Sequence, residues 1–189
     1  MSALAHAPNP GADHANGAPQ DGVLSLLRMA VGSDVLSVPI SNVREILQVS
    51  RLTPLPRTPA FVRGVMNLRG SVVPVIDLAV RLNGPTTQIG RRSCIVVVES
   101  HGSTSEEDDA DGTGSEALIV VGLLVDAVFE VFDTTPGEVE PVPPLGTHVD
   151  GSYLQGMTRA RDEVIGILAL ERVLAHRELS SLISSHQPH

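Results

Sequence analysis

The chain has almost no aromatic side chains: three Phe, one Tyr and no Trp among 189 residues. Its core must therefore be built from Val, Leu and Ile, whose β-branched members favour strands. Cys94 is the only cysteine, which excludes an intrachain disulfide and a thiolate cluster for zinc or iron–sulfur ligation. A reducing compartment is the simpler home, and Cys94 itself reads as a small buried hydrophobe rather than a reactive thiol. No run is long enough to span a bilayer, and "MSALAHAPNPGADHANGAPQDG" has neither a basic leader nor a continuous apolar segment, so no signal peptide is expected.

Assembled chemistry is missing too. His6, His14, His101, His148, His176, His186 and His189 fall in tails, loops or the last helical stretch, none beside a Ser, Cys or Asp in a strand-end motif. There is no His-x-x-x-His element, no paired cysteines, no GxxxxGK[ST] loop and no GxGxxG, so neither an enzyme, a cofactor nor a metal is expected. Asp77 reads as a helix cap or an arginine partner. Lysine is absent as well: all 13 cationic side chains are arginine, in a chain of net charge −9. Eight lie between Arg44 and Arg92, opposed only by Glu45 and Asp77. That basic middle keeps open a small-ligand or nucleic-acid binding module, but Phe61 is its only aromatic, and single-strand sites need stacking platforms.

What is present is a strand pattern. Residues 1–22 read as a disordered tail. "VLSLLRMAVGSDVLSVPI" reads as a hairpin around Gly32-Ser33-Asp34. In "SNVREILQV", Asn42 followed by Glu45 fits a capping box, which predicts a short helix burying Val43, Ile46 and Leu47. "FVRGVMNLRGSVVPVIDL" is a hairpin turning at Arg69-Gly70, and Pro74, which has no donor, marks a bulge, a free edge or a barrel seam. Residues 101–116 hold Glu106, Glu107, Asp108, Asp109, Asp111 and Glu116 and read as a disordered acidic hairpin loop without calcium-loop spacing. "ERVLAHRELSSLIS" reads as a closing helix, and residues 175–189 as its end and a tail.

The chain nearly repeats itself. "LSVPISNVREI" lies over "VGLLVDAVFEV", pairing Glu45 with Glu130. "FVRGV" matches "YLQGM", and "VVPVIDL" matches "IGILAL" with Pro74 opposite Gly166. By the same offset Arg69 meets Arg161. Two copies of one antiparallel unit follow. The expectation is an all-β protein of two five-stranded β-barrels around a shared hydrophobic core, with short helices and a C-terminal helix: residues 23–84 in the first barrel and 92–174 in the second. Pro74 and Gly166 would lie at seams and Gly70 at the turn. One larger sandwich is the alternative.

"VPISNVREIL", "LTPLPRTPAFVRGVMNLRGSVVPVIDLAVRL", "CIVVVES", "VVGLLVDAVFEVF" and "YLQGMTRARDEVIGILALERVL" together resemble the CheW-like coupling-protein family of bacterial chemotaxis, over roughly Val23 to Leu174. The resemblance implies SH3-like barrels and no catalysis. It implies an adaptor between chemoreceptor cytoplasmic tips and the regulatory domain of a CheA-like histidine kinase, cytoplasmic and recruited to membrane-associated receptor arrays. Carried onto matching positions, Val43, Glu45, Ile46, Asn67, Leu68, Arg69 and Gly70 are the receptor-groove candidates, with Arg69 either gripping the partner or pairing with Glu45. The sequence lacks the family's usual glycine after Glu-Ile-Arg, running Glu45-Ile46-Leu47-Gln48 instead, adds the acidic insertion and lacks the usual aromatic near the second strand of the first hairpin. A type IV pilus, gliding or other kinase-based pathway is the alternative setting. No phosphotransfer, ATP-binding or receiver segment is read, so a stand-alone coupling protein is expected.

Overall fold

The structure, a computed structural model, describes residues 22–102, 117–143 and 148–174. Most of the expected N-terminal tail, the acidic loop from residue 103 and the segment 175–189 lie outside the described residues. Among the described residues, no helix is long and apolar enough to cross a membrane.

The chain opens with hairpin β1 (Leu24–Val31) and β2 (Asp34–Pro39), passes a 3-10 turn at Ile40–Asn42 and enters β3 (Val43–Gln48). Hairpin β4 (Val62–Leu68) and β5 (Ser71–Asp77) follows, closed by the single helical turn α1 (Leu78–Arg81). The second half repeats this with β6 (Cys94–Gly102), β7 (Ala117–Val125), β8 (Ala127–Thr134), β9 (Leu154–Ala160), β10 (Glu163–Leu168) and α2 (Leu170–Val173). Each half is thus five strands and a helical turn.

The strands form two sheets, ordered β8-β1-β2-β10-β9 and β3-β6-β7-β5-β4. Substituting each strand of one copy by its counterpart in the other converts the first order into the second. The sheets are therefore equivalent, and each combines two strands of one copy with three of the other. The copies meet at two junctions in each sheet: the antiparallel ladders β1–β8 and β3–β6, and the parallel contacts β2–β10, with Gly166 opposite Leu36, and β5–β7, with Val75 opposite Gly122. Gly122 has a packing reason to lack a side chain, since a Cβ there would meet Ile95 at 2.7 Å.

The expectation of two closed SH3-like barrels, one per copy, is corrected here. Both strand orders are open, with β8 and β9, and β3 and β4, as edges. A crossing segment occupies the backbone groups that closure would need. Thr53 exchanges both hydrogen bonds with Val65 of β4, at 2.9 and 2.8 Å, and Glu140 does the same with Met157 of β9, at 2.7 and 2.8 Å. Gly64 and Gly156, the glycines of the matched "FVRGV" and "YLQGM", permit this approach. At Gly64 (φ +138°) a Cβ would stand 2.4 Å from the Thr53 carbonyl oxygen, and at Gly156 2.5 Å from Val139.

The predicted helix at "SNVREILQV" is a strand, β3. Its alternating burial matches a period of two, and Asn42 donates to the Glu99 carbonyl (3.0 Å) instead of capping a helix. Ile46, expected inside, points outward.

A large apolar cluster lies between the sheets, including Leu27, Met29, Leu36, Val96, Val98, Leu123 and Leu168. Asp77, fully buried, caps α1 through the Val80 amide (3.3 Å), accepts from the Thr87 amide and hydroxyl (2.9 and 2.8 Å) and faces Arg63 (3.6 Å). Arg81 lies over the rings of Phe61 (4.8 Å) and Tyr153 (5.3 Å) and donates to the Val173 carbonyl (2.7 Å), tying α1 to α2. Two of the four aromatics, Phe61 and Tyr153, thus serve the junction of the two copies.

Candidate protein-docking site

In each sheet the two edges share no ladder but meet through side-chain contacts, Glu45–Arg69 in one and Thr134–Thr158 in the other, leaving a seam. In the second sheet the seam is spanned by charge. Glu45, on the inward side of β3, reaches Arg69 at the β4–β5 tip, with Nη2 3.3 Å from Oε2. Arg69 and Gly70 form the tip with φ of +52° and +90°, the pair of left-handed residues that a two-residue hairpin demands. Asn67 secures it by accepting from the Gly70 amide at 3.0 Å. Arg69 is 80% exposed, so the ion pair holds little stability by itself.

The remaining candidates divide. Val43 packs on the central cluster and Leu68 on the cluster inside the second sheet, made of Met66, Val73, Val75, Ile95, Val97 and Leu124. Ile46 is 42% exposed and Val72 53% exposed. Arg44 pairs with Glu99 (3.3 Å) beside them. Of the candidates, Ile46 and Arg69 are thus exposed at the seam, while Val43 and Leu68 pack beneath it. A cleft of about 580 Å³ lies elsewhere, bordered by Leu36, Glu140, His148, Met157 and Glu163 on the first sheet.

The sequence reading missed the same construction at the first sheet's seam. Arg161 stands 3.5 Å from Glu130, at a tip whose Arg161 and Asp162 have φ of +50° and +64°. Val131 and Val164 are exposed where Ile46 and Val72 are in the other sheet, joined by Phe129. The two offsets that match Glu45 to Glu130 and Arg69 to Arg161 contained this signal. The seams differ in their interior. Arg28 of β1 contacts Glu130 (3.4 Å) and Glu163 and lies over Phe129 (4.8 Å). Behind it Thr134 and Thr158 share a buried hydrogen bond of 3.0 Å between the edge strands.

Among the described residues, no group of His, Cys, Asp and Glu could hold a metal ion. The described surface carries two related edges, one on each sheet. The pattern of the CheW-like domain family matches residues 25–178. The chain belongs to this family. It is 30% identical over 158 residues to the chemotaxis protein CheW of Rhizobium meliloti, covering 84% of this chain and 92% of that one. It is 34% identical over 146 residues to the protein FrzA of Myxococcus xanthus, covering 76% and 81%. The crystal structure of the scaffolding protein TtCheW from Thermoanaerobacter tengcongensis superimposes with a TM-score of 0.65 at 26% identity, over 92% of this chain and 93% of that chain. As a CheW-type protein it is a non-catalytic adaptor linking chemoreceptor tips to the CheA kinase.

Proposed function

We propose that this CheW-type adaptor uses its two seams for different partners: the Glu45–Arg69 seam for the receptor tip, and the Glu130–Arg161 seam for the kinase regulatory domain. The observation that carries the reading is the duplicated seam itself. A bridging protein needs two separate docking edges, and the exchange of strands between copies provides two with the same layout and different interiors. At the first of these edges Ile46 and Val72 supply exposed apolar area, while Arg69 and Glu45, with Asn67 and Gly70 shaping the tip, set register. Val43 and Leu68 support the edge from beneath. Bound in this way, the protein would be held at membrane-associated receptor arrays from the cytoplasmic side.

Calorimetry with a receptor cytoplasmic fragment and with the kinase regulatory domain tests the assignment. Arg69→Ala should weaken the receptor and spare the kinase, and Arg161→Ala the reverse. Equal losses for both partners from either substitution would overturn the division.

A further inference from the structure

One end of the second sheet carries positive charge that the described fold does not use. β3 finishes at Gln48 opposite Cys94, the first residue of β6. Arg51, just past Gln48, and Arg91 and Arg92, just before Cys94, therefore emerge at the same end. The antiparallel bridge Thr53–Val65 then carries the chain toward the start of β4, which brings Arg57 to that end as well. Arg57 sits at φ +59° in a turn held by the Thr58 hydroxyl on the Leu55 carbonyl (3.1 Å).

All four arginines are exposed, and among the described residues none has an ion pair. The carboxylates of this region are engaged elsewhere: Glu45 with Arg69, and Asp77 in its buried network. Asp126, which follows the residue opposite Cys94, accepts the Gly32 amide at 2.7 Å. Beside Arg91 and Arg92, Ile89 is 52% exposed and adds an apolar anchor.

We propose that this end is a third docking surface, for an acidic segment of a partner protein carrying apolar residues among its carboxylates. Arginine forks engage carboxylates in bidentate pairs, and an apolar residue between them would cover Ile89. Nucleic acid fits less well: Phe61, the aromatic of this region, already lies against Arg81, so among the described residues of this end no ring is free for base stacking.

Fluorescence anisotropy of the full chain with a labelled peptide alternating Glu and Leu tests this, alongside a thymidine oligonucleotide and phosphatidylserine vesicles. Peptide binding should weaken with salt and fall about tenfold in Arg51→Gln/Arg91→Gln/Arg92→Gln, as expected for three partly solvated pairs. An unchanged melting temperature would establish that the variant is folded, and Arg57→Gln/Arg91→Gln provides a second variant of the same surface. Arg69→Ala and Arg161→Ala should leave peptide affinity unchanged, which separates this surface from the two seams. Unaltered peptide affinity in both arginine-depleted variants, or tighter binding of the oligonucleotide or the vesicles than of the peptide, would overturn the proposal.

Discussion

Arg28 and Val97 occupy equivalent positions in the two sheets. Val97 lies opposite Glu45 and is fully buried in an apolar cluster, whereas Arg28 reaches Glu130, the counterpart of Glu45. One duplicated unit has thus been filled twice with opposite chemistry. The Nε atom of Arg28 is buried without a hydrogen-bond partner in the described structure, so its desolvation offsets part of what the ion pairs contribute.

Replacing Arg28 by the valine of the other sheet should therefore cost little, about 1 kcal/mol or less, because Glu130 and Glu163 are partly exposed and can hydrate. Urea unfolding of Arg28→Val measures this. A loss above about 3 kcal/mol would mean that the charged network holds the first sheet together.

Arg69→Ala is expected to lower stability by no more than about 1 kcal/mol, since an exposed ion pair contributes little. A large drop in melting temperature with receptor affinity unchanged would instead assign Arg69 to maintenance of the seam.

Gly64→Ala should be far more damaging, by about 2–4 kcal/mol. The new Cβ would meet a backbone carbonyl at 2.4 Å and hold an unfavourable φ of +138°. Denaturant midpoints compare it with Gly90→Ala, where nothing lies within 4 Å of the added atom. Equal effects at the two positions would refute the close-approach account.

Two capping carboxylates give the fold an acid-sensitive element. Glu138 is held below its ordinary 4.5 by the Thr135 amide first, then by the Thr135 and Thr134 hydroxyls. Asp150 is held below its ordinary 3.8 by the Ser152 amide, then by its hydroxyl. Both are depressed in the folded state, so their stabilisation is present above those ordinary values and disappears as pH falls through the lower folded ones. Melting temperatures of the protein and of Glu138→Gln/Asp150→Asn should differ at neutral pH and converge in acid. A gap that stays constant down to about pH 3 would count against this role.

The duplication was legible because Glu45 and Glu130, Arg69 and Arg161, and Gly64 and Gly156 recur at fixed offsets. The exchange of strands was not, since β2 has the same alternation whether it lies beside β5 of its own copy or β10 of the other. The helix read at Asn42–Glu45 failed because the same two side chains found longer-range partners, the Glu99 carbonyl and Arg69. Closure into barrels was inferred from edges that needed covering. The proline-rich crossings instead bridge to two of those edges, β4 and β9, through Thr53 and Glu140. Hairpin positions were readable from local turn chemistry, while the polar interior around Arg28 depends on contacts more than a hundred residues apart.

The interleaved sheets also bear on how the molecule can be divided. Cutting the link between α1 and β6 would leave each fragment with two strands of one sheet and three of the other, and neither fragment could complete a sheet alone. The polypeptide is the tethered form of a mutual strand donation between two like units. Its halves would behave as a complementation pair, each acquiring its fold only in the presence of the other.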